Sequence, residues 1–269
     1  MVDINNYQII FTKPPDELFR RITSHIWYYR SILRAILIAF NITYQRKRLS
    51  MPSVFDIIGP VTVGPSSSHT AGAIRIGQVA RLLLGSEARR AVITFYGSFA
   101  DTWRGHGTDK AVVGGLLGLP MDSPLIRSSL TQAAERGLEY EIRTGEDSRF
   151  HPNTVAIEAS GEAGHVAIRA SSVGGGAISL DAMDGYDLGV SCALPTLIVP
   201  HNDHPGVVAA VTAALSSGGC NIASMKVSRA RRGGSAVAVI ETDEDVDAKT
   251  QAGIGAMPGV DRVIHIPKV

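Results

Sequence analysis

Cysteine is scarce in this sequence, and its scarcity excludes two kinds of protein. The 269 residues include two cysteines, Cys192 and Cys220, and no CxxC spacing occurs. A disulfide-stabilised secreted domain is therefore excluded, and we expect a reducing, cytoplasmic location. A four-iron cluster needs at least three thiolate ligands, so this chain cannot bind one alone.

Excess charge and long apolar runs are also lacking. The net charge is +1, so no basic surplus is available to neutralise the phosphates of a nucleic acid. The apolar run at residues 32–40 is too short to cross a membrane, and it contains Arg34. We therefore expect neither a nucleic-acid partner nor a membrane partner.

Common cofactor and metal motifs are missing as well. No GK[ST] sequence ends a glycine-rich loop, and no HxH or HExxH pair provides metal ligands, so we expect no metal site in this chain. None of the lysines after residue 50 has the setting of a pyridoxal phosphate lysine. These lysines are Lys110, Lys226, Lys249 and Lys268.

The stretch at residues 64–72, GPSSSHTAG, is the most informative segment that is present. A helical pattern follows it, from Ile74 to Leu84, and the start of a helix leaves backbone N–H groups free for a carboxylate or phosphate. One serine that merely caps this helix is the simpler interpretation, but a cap requires neither Pro65 nor His69. His69 titrates near neutral pH and is our candidate for a general base. Hydroxyl donors for a carboxylate are expected from Ser66, Ser67, Ser68 and Thr70.

Two further histidines have polar neighbours. His106 lies in the sequence GHGTD at residues 105–109, where the glycines allow close backbone approach. We expect Thr108 or Asp109 to cap a helix over residues 111–119. His151 lies in the sequence FHPN and is the third candidate. Each of these two histidines, taken alone, fits a structural or surface role better than a catalytic one.

The order of helix and strand patterns predicts an α+β fold in two parts. Residues 51–190 form a mixed α+β domain, with strands at 91–96, 139–143, 154–159 and 165–170. Residues 194–269 have the order βαββαβ of the ferredoxin-like split fold. Its predicted elements are strand 194–199, helix 207–215, strands 222–227 and 236–241, helix 247–253 and strand 260–266.

Both parts resemble known families. The sequence SVFDIIGP at residues 53–60, followed by GPSSSHTAG, resembles the beta subunit of the iron–sulfur-dependent L-serine dehydratases. This resemblance begins at Met51, so we interpret residues 1–50 as an extension that is disordered or lies upstream of the functional start. The sequence NDHPGV at residues 202–207, with Asn221-Ile222, resembles the ACT domain, an amino-acid-binding module that often pairs with a second copy.

The first resemblance implies an L-serine ammonia-lyase that releases pyruvate and ammonia. Its [4Fe-4S] cluster is expected on a partner alpha subunit, which agrees with the two cysteines of this chain. Under this hypothesis His69 and His106 are the catalytic candidates. The expected substrate-binding residues are Ser66, Ser67, Ser68, Thr70, Thr108, Asp109 and His151.

The second resemblance implies regulation. It predicts self-association through the ACT domain and an effector site near its first turn and helix. The expected effector-binding residues are Asp203, Gly206, Val207, Asn221 and Ile222. The alternative hypothesis is a non-catalytic amino-acid sensor, because dehydrogenases of serine biosynthesis carry a similar first domain with an allosteric serine site.

Overall fold

A computed structural model describes residues 66–268, and it begins with the signature segment. A π-helical turn, Ser67–Gly72, continues directly into helix α1, Ala73–Leu84. The segment that we expected to be a loop before a helix is therefore itself helical. Helix α1 is amphipathic and is buried along the face that carries Ile76, Val79 and Leu83.

The first sheet has six strands in the order β2-β1-β3-β4-β5-β6. Strands β1 and β2 are parallel, and the other neighbouring pairs are antiparallel. Helices connect β1 to β2, as a parallel pair requires. The elements are β1 (Ala88–Tyr96), α2 (Ser98–His106), α3 (Thr108–Leu116), a 3₁₀ turn (Pro124–Ser128), α4 (Ser129–Glu135), β2 (Glu139–Gly145), β3 (Thr154–Gly161), β4 (Gly164–Gly174), β5 (Ala177–Met183) and β6 (Tyr186–Val190).

Helices α1 and α3 cross at glycines and run in the same direction. A Cβ atom on Gly115 would collide with the carbonyl oxygen of Ile74, so the two backbones are in direct contact. One turn further along α1, the Gln78 side chain donates a hydrogen bond to the carbonyl of Leu119, which lies just beyond the end of α3 (2.8 Å). Later residues of α1 contact later residues of the α3 segment, so the two helices are parallel and their starts lie side by side.

The second sheet confirms the predicted order βαββαβ. Its strands are antiparallel in the order β10-β7-β9-β8, which is the ferredoxin-like split arrangement. The elements are β7 (Thr196–Asn202), α5 (Val207–Ser217), β8 (Ile222–Arg229), β9 (Ser235–Thr242), α6 (Ala248–Gly255) and β10 (Ile264–Ile266).

Both faces of the central strands of this sheet are buried. On one face Leu197 and Ile240 pack in a core with α5 and α6. On the other face Ile198 and Val239 belong to the same hydrophobic core as the first sheet. Strands buried on both sides require nearly continuous apolar sequence, which β7 and β9 have.

The first part of the fold differs from the sequence predictions in four elements and in one helix cap. Helix α2 was not predicted, nor were α4, β5 and β6. Neither Thr108 nor Asp109 caps a helix, because Gly107, with a φ of 66°, occupies the cap position. Thr108 and Asp109 lie instead within the first turn of α3 and are buried. Glycine accepts this left-handed backbone conformation without strain, which explains the sharp junction between α2 and α3.

The predicted division at residues 190 and 194 remains a prediction, although it falls between β6 and β7. Predictions for residues 1–50 lie outside the described residues. Within residues 66–268 no helix is long and apolar enough to cross a membrane.

Candidate active site

Ser66 caps the π-helical turn, so the simpler interpretation of the serine run is right for this residue. Its backbone is extended, and its hydroxyl accepts a hydrogen bond from the His69 N–H (3.1 Å). The Ser66 carbonyl oxygen accepts a second bond from the Thr70 N–H (3.0 Å). These two bonds fix the backbone on both sides of the histidine, so the cap also positions His69.

Hydroxyl groups surround both nitrogens of the His69 ring. Nδ1 lies 3.2 Å from the Ser68 Oγ and 3.4 Å from the Ser66 Oγ. Nε2 lies 3.2 Å from the Ser98 Oγ at the start of α2. A neutral imidazole needs one donor and one acceptor, and rotating hydroxyls satisfy either tautomer. This environment orients the ring without fixing a charge on it.

One face of helix α2 lies against His69. Ser98, Thr102 and His106 are four positions apart and therefore share this face. The rings of His69 and His106 are 4.6 Å apart between centroids and tilted by 33°. His106 Nδ1 lies 3.4 Å from the Thr102 carbonyl oxygen, to which it can donate a hydrogen bond. The Phe99 and His69 rings pack edge to face, with 5.2 Å between their centroids.

The pKa of His69 lies below its ordinary value of 6.5. Burial is the larger cause, because it disfavours the charged imidazolium, and the neighbouring His106 adds charge repulsion. His69 is therefore neutral at pH 7 and has a lone pair that can accept a proton. A general base requires this protonation state.

The segment His151-Pro152-Asn153 packs against the start of α2. The Phe99 N–H donates a hydrogen bond to the Pro152 carbonyl oxygen (3.3 Å). Gly97, with a φ of 54°, allows this approach, because a Cβ there would lie 2.7 Å from the same oxygen. His151 is exposed, and its Nδ1 accepts a hydrogen bond from the Asn153 N–H (3.1 Å). The ring is therefore bonded to its own turn.

Buried polar atoms without a partner are concentrated around this turn. Five of the seven such side-chain atoms in residues 66–268 lie on the π-helical turn or on the elements that border it. They are Thr70 Oγ1, Thr108 Oγ1, Asp109 Oδ1, Asn153 Oδ1 and Ser172 Oγ. Buried polar groups are nearly always hydrogen-bonded, so a group of unpaired ones indicates where a polar ligand binds.

Asp109 is one of the buried groups at the start of α3. Burial raises the pKa of this carboxyl, while hydrogen bonding to the Lys110 N–H and the charge of Lys110 partly oppose the shift. The carboxyl group therefore retains its proton to higher pH than an exposed aspartate does.

Three helices begin beside His69. The Ser66 cap starts the π-helical turn, Ser98 starts α2, and Thr108 starts α3, which runs parallel to α1. Each start presents the positive end of a helix dipole. Together with the unpaired hydroxyls of Thr70 and Thr108, this arrangement favours a bound carboxylate.

The structure brings together most of the predicted substrate-binding and catalytic residues. Ser66, Ser68, His69 and His106 are in direct contact. Thr70, Thr108 and Asp109 are buried next to them, whereas Ser67 and His151 are exposed.

Sequence reasoning missed Ser98, Asn153 and Ser172. The four-residue spacing of Ser98, Thr102 and His106 carries a helical signal, and Asn153 directly follows the His151-Pro152 pair. Ser172 lies in strand β4 and has no comparable signal in the sequence.

A cleft of about 700 Å³ lies near this site but has a different character. It is lined by Gly97, which precedes α2, and by Ala100 and Asp101 of α2, rather than by the face that contacts His69. Glu146 and Asp147 also line it, and although Asp147 is paired with Arg149, this acidic lining does not suit a carboxylate ligand. We therefore place the candidate site at His69 and not in this cleft.

The five predicted effector residues lie at two ends of the second sheet. The Asp203 carboxylate accepts hydrogen bonds from Arg229 Nη1 (2.9 Å) and from the Gly233 N–H (3.0 Å). Gly206, with a φ of 98°, and Val207 begin α5 beside Asp203 and line a cleft of about 370 Å³.

Asn221 and Ile222 lie at the far end of strand β8. The Asn221 side chain donates to the Asp243 carboxylate (2.6 Å), and its backbone N–H donates to Glu244 (2.8 Å). Strand β8 has eight residues, which separate the two ends by about 25 Å. Within one chain, the five residues therefore do not line a common pocket.

The cysteines do not form a cluster site. Cys192 is buried in the first hydrophobic core, where burial raises its pKa to about 12, and Cys220 packs in the second core. Two inert thiols in separate cores do not fit a four-iron cluster. Among the described residues, no group of three potential metal ligands occurs.

Comparison with known proteins identifies the family. The serine dehydratase beta chain model matches residues 53–183, and the ACT domain model matches residues 196–252. The chain is 42% identical to the probable L-serine dehydratase beta chain of Bacillus subtilis over 214 residues, which are 80% of this chain and 97% of the relative. It is 34% identical to the L-serine dehydratase beta chain of Peptoniphilus asaccharolyticus, over 78% of this chain and 94% of the relative.

A more distant relative belongs to a different enzyme class. D-3-phosphoglycerate dehydrogenase of Mycobacterium leprae is 27% identical over 126 residues, which are 46% of this chain and 24% of the relative. The two beta chains are matched over nearly their whole length, whereas the dehydrogenase is matched over about a quarter of its length, so the beta chains identify the family. This chain belongs to the family of L-serine dehydratase beta chains and carries a C-terminal ACT domain.

Proposed function

We propose that this chain is the beta subunit of a cytoplasmic L-serine ammonia-lyase, which converts L-serine to pyruvate and ammonia. The observation that carries the proposal is a neutral histidine, His69, among unpaired buried polar atoms at the starts of three helices. The names of two relatives that are matched over nearly their whole length support the same substrate.

In this reaction His69 is the general base that removes the Cα proton of L-serine. The lone pair of the neutral ring accepts this proton, while hydroxide leaves Cβ and a Cα=Cβ double bond forms. The resulting aminoacrylate tautomerises to an imine, which water hydrolyses to pyruvate and ammonia. Burial, and secondly the charge repulsion of His106 in contact with the His69 ring, keep the pKa of the base low.

The substrate carboxylate is the natural ligand for the three helix starts. The positive ends of the helix dipoles favour an anion there, and the buried, unpaired hydroxyls of Thr70 and Thr108 provide two hydrogen-bond donors. Binding by helix ends and hydroxyls places no positively charged side chain beside His69. The carboxylate therefore fixes the position of the substrate next to the proposed base.

Loss of hydroxide requires a Lewis acid, and the two buried thiols of this chain do not fit one. The name beta chain implies a partner alpha subunit, and we propose that this partner carries a [4Fe-4S] cluster. This chain would contribute the base and the carboxylate-binding groups at the joint active site.

The test is anaerobic pyruvate release from L-serine, measured for this chain alone and after reconstitution with its cysteine-rich alpha subunit. Turnover in the mixture and none with the single chain is the expected result. Turnover by the single chain would refute the division of labour between two subunits.

A non-catalytic amino-acid sensor is the second candidate function. It is favoured by the ACT domain and by the similarity of part of the chain to a dehydrogenase of another enzyme class. A sensor would bind L-serine in calorimetry, while the reconstituted mixture, with its cluster content verified, would release no pyruvate.

We also propose that the ACT domain binds its effector between two copies of the chain. Asp203 and Asn221 are too far apart to share a ligand within one chain, but antiparallel pairing of two β8 edges brings opposite ends together. Sedimentation analysis with and without L-serine tests this arrangement. A monomer that still binds an effector at the ACT domain would contradict it.

A further inference from the structure

Two side chains at the end of one strand pair have no role in the chemistry of His69. Asn153 directly precedes β3, and Ser172 lies opposite it in β4, one position beyond the paired residues Thr154 and Ser171. The Ser172 N–H donates a hydrogen bond to the Asn153 carbonyl oxygen (2.9 Å), which fixes this register.

Both side chains lie on the face of the sheet that the helices cover. Side chains alternate along a strand, so Asn153 lies on the same side as the fully buried Val155, and Ser172 on the same side as Ala170. The position of Gly72 agrees, because a Cβ atom there would collide with the Ser172 Oγ. The pair therefore borders the π-helical turn that carries His69.

Neither side chain has a hydrogen-bond partner for its inward oxygen. Asn153 Oδ1 and Ser172 Oγ are buried and unpaired, and Ser172 is fully inaccessible to solvent. An amide oxygen can only accept hydrogen bonds, and a serine oxygen can accept as well as donate. A ligand that satisfies Asn153 Oδ1 must therefore bring an N–H or O–H donor, and Ser172 Oγ can accept from the same group.

The two sides of the site differ in electrostatic character. The helix starts present the positive ends of helix dipoles and the unpaired hydroxyls of Thr70 and Thr108, which suit an anion, whereas the strand end presents oxygen acceptors. An α-amino acid has a carboxylate acceptor and an ammonium donor on the same carbon. The ammonium group brings three N–H donors, which is more than a hydroxyl in its place can offer.

We propose that Asn153 and Ser172 bind the α-ammonium group of the substrate and thereby select amino acids over the corresponding 2-hydroxy acids. This inference rests on the proposed function, because it takes L-serine as the ligand. The carboxylate then lies at the helix starts and the ammonium at the strand end, with the Cα proton directed to His69 between them.

Asp109 is the competing partner for the ammonium group, because its Oδ1 is also buried and unpaired. It lies in the first turn of α3, on the side that suits the carboxylate. Its raised pKa means that it retains a proton more readily than an exposed aspartate, which weakens it as an ammonium partner. The geometry therefore favours the strand end.

The test compares L-serine with L-glycerate, in which a hydroxyl replaces the ammonium group. In the reconstituted complex, Asn153→Leu removes the acceptor at similar volume, whereas Asn153→Asp keeps an acceptor at the same position. Calorimetric Kd values are measured for both ligands, together with kcat and KM for L-serine where turnover occurs. Ser172→Ala is the second variant, since it removes the hydroxyl and adds no bulk.

We expect Asn153→Leu to weaken L-serine binding by roughly 10- to 100-fold, as expected when a charged partner loses its buried acceptor. Binding of L-glycerate should not change, and Asn153→Asp should retain L-serine binding. Equal weakening of both ligands, or loss of L-serine binding in Asp109→Asn but not in Asn153→Leu, would overturn the proposal. So would unchanged binding in every variant, which would mean that water satisfies the two oxygens.

If the chain is not part of a lyase, the experiment gives a result that differs from failure of the ammonium site. Wild-type complex that binds L-serine without releasing pyruvate would refute the lyase activity, while the comparison of Kd values would still test the ammonium site.

Discussion

The region around His69 and the ACT domain use the same types of polar side chain, but they bond them differently. In the first region Asn153, Thr108 and Asp109 have buried atoms without partners. In the ACT domain Asn221 is bonded to Asp243, and Asp203 is bonded to Arg229. Unpaired buried groups raise the free energy of the empty site, and a ligand that hydrogen-bonds to them removes this cost.

The two regions therefore differ in how ready they are to bind a ligand. The site at His69 is assembled within one chain, with its donors and acceptors already oriented. The ACT residues are satisfied inside their own chain and are divided between two ends of a sheet, so a ligand there requires a second copy or a rearrangement. Substitutions in each region test this difference, and the largest effects are expected at His69.

Replacing His69 should have the largest effect. His69→Ala removes the proposed base, and kcat of the reconstituted complex should fall by ~10²- to 10⁴-fold, as is typical for loss of a general base. Pyruvate release measures this effect. The matched control is His165→Ala, because His165 is exposed on β4 and should be dispensable. Activity that survives His69→Ala within a few-fold would assign the base to another residue.

Gly72→Ala should be destabilising, and a second mutation should reverse the effect. The new methyl collides with the Ser172 side chain, and overpacking of this kind costs about 1–3 kcal/mol of unfolding free energy. Gly72→Ala with Ser172→Gly removes the obstacle and should recover stability in urea denaturation. Gly115→Ala is the contrasting variant, because its methyl meets the backbone carbonyl of Ile74, which no side-chain change removes. Equal stability of Gly72→Ala and wild type would refute the close contact between Gly72 and Ser172.

His106→Gln should shift the pH dependence. The pKa of His69 is lowered first by burial and second by His106, so loss of His106 should raise it part of the way towards 6.5. The acidic limb of the profile of kcat/KM against pH should therefore move to higher pH. An unchanged limb would mean that His106 does not act on the base electrostatically.

The same shift has a consequence for stability. A histidine whose folded pKa is lowered binds its proton more weakly in the folded state than in the unfolded state. The stability that neutral His69 contributes is therefore present above pH 6.5 and is lost progressively as the pH falls towards the lowered value. This loss should be smaller in His106→Gln, as measured by urea denaturation at several pH values.

Asp203→Asn should have the smallest effect. The pKa of Asp203 is lowered by the Gly233 N–H and by Arg229, so the carboxylate stabilises the turn that precedes α5. The hydrogen-bond partners of Asp203 are Arg229 and Gly233, both in the second sheet and its turn, so kcat should not change. Melting curves should show a small loss of stability that disappears in acid, because protonation removes the same interaction. A loss of turnover would show that the ACT domain is coupled to the active site.

Much of the fold follows from sequence patterns with strong local causes. The order βαββαβ was predicted correctly because β7 and β9 are continuous apolar runs and glycines end the intervening helix. Helix α2 was missed because its apolar residues Phe99 and Trp103 are few and its sequence is largely polar. It is a helix because Phe99 packs in the core and Gly97 allows the chain to leave β1 beside Pro152.

The residues of the candidate site also fall into those that the sequence identified and those that only the structure revealed. The sequence identified His69 and the hydroxyls beside it, because these residues are contiguous and unusual together. It did not identify Ser98, Asn153 or Ser172, since these come from three separate segments that approach only when the sheet and helices pack. The sequence alone also grouped Asp203 with Asn221, which the sheet places at opposite ends.

The sequence by itself therefore determined the family, the βαββαβ order and the base candidate, because each depends on residues that are close together in the chain. Only the tertiary structure decided which polar groups remain unpaired around His69, that the pKa of this histidine is lowered, and which strand end borders it. These properties depend on burial and on contacts between residues up to about a hundred positions apart, such as Gly72 and Ser172, which no local pattern encodes.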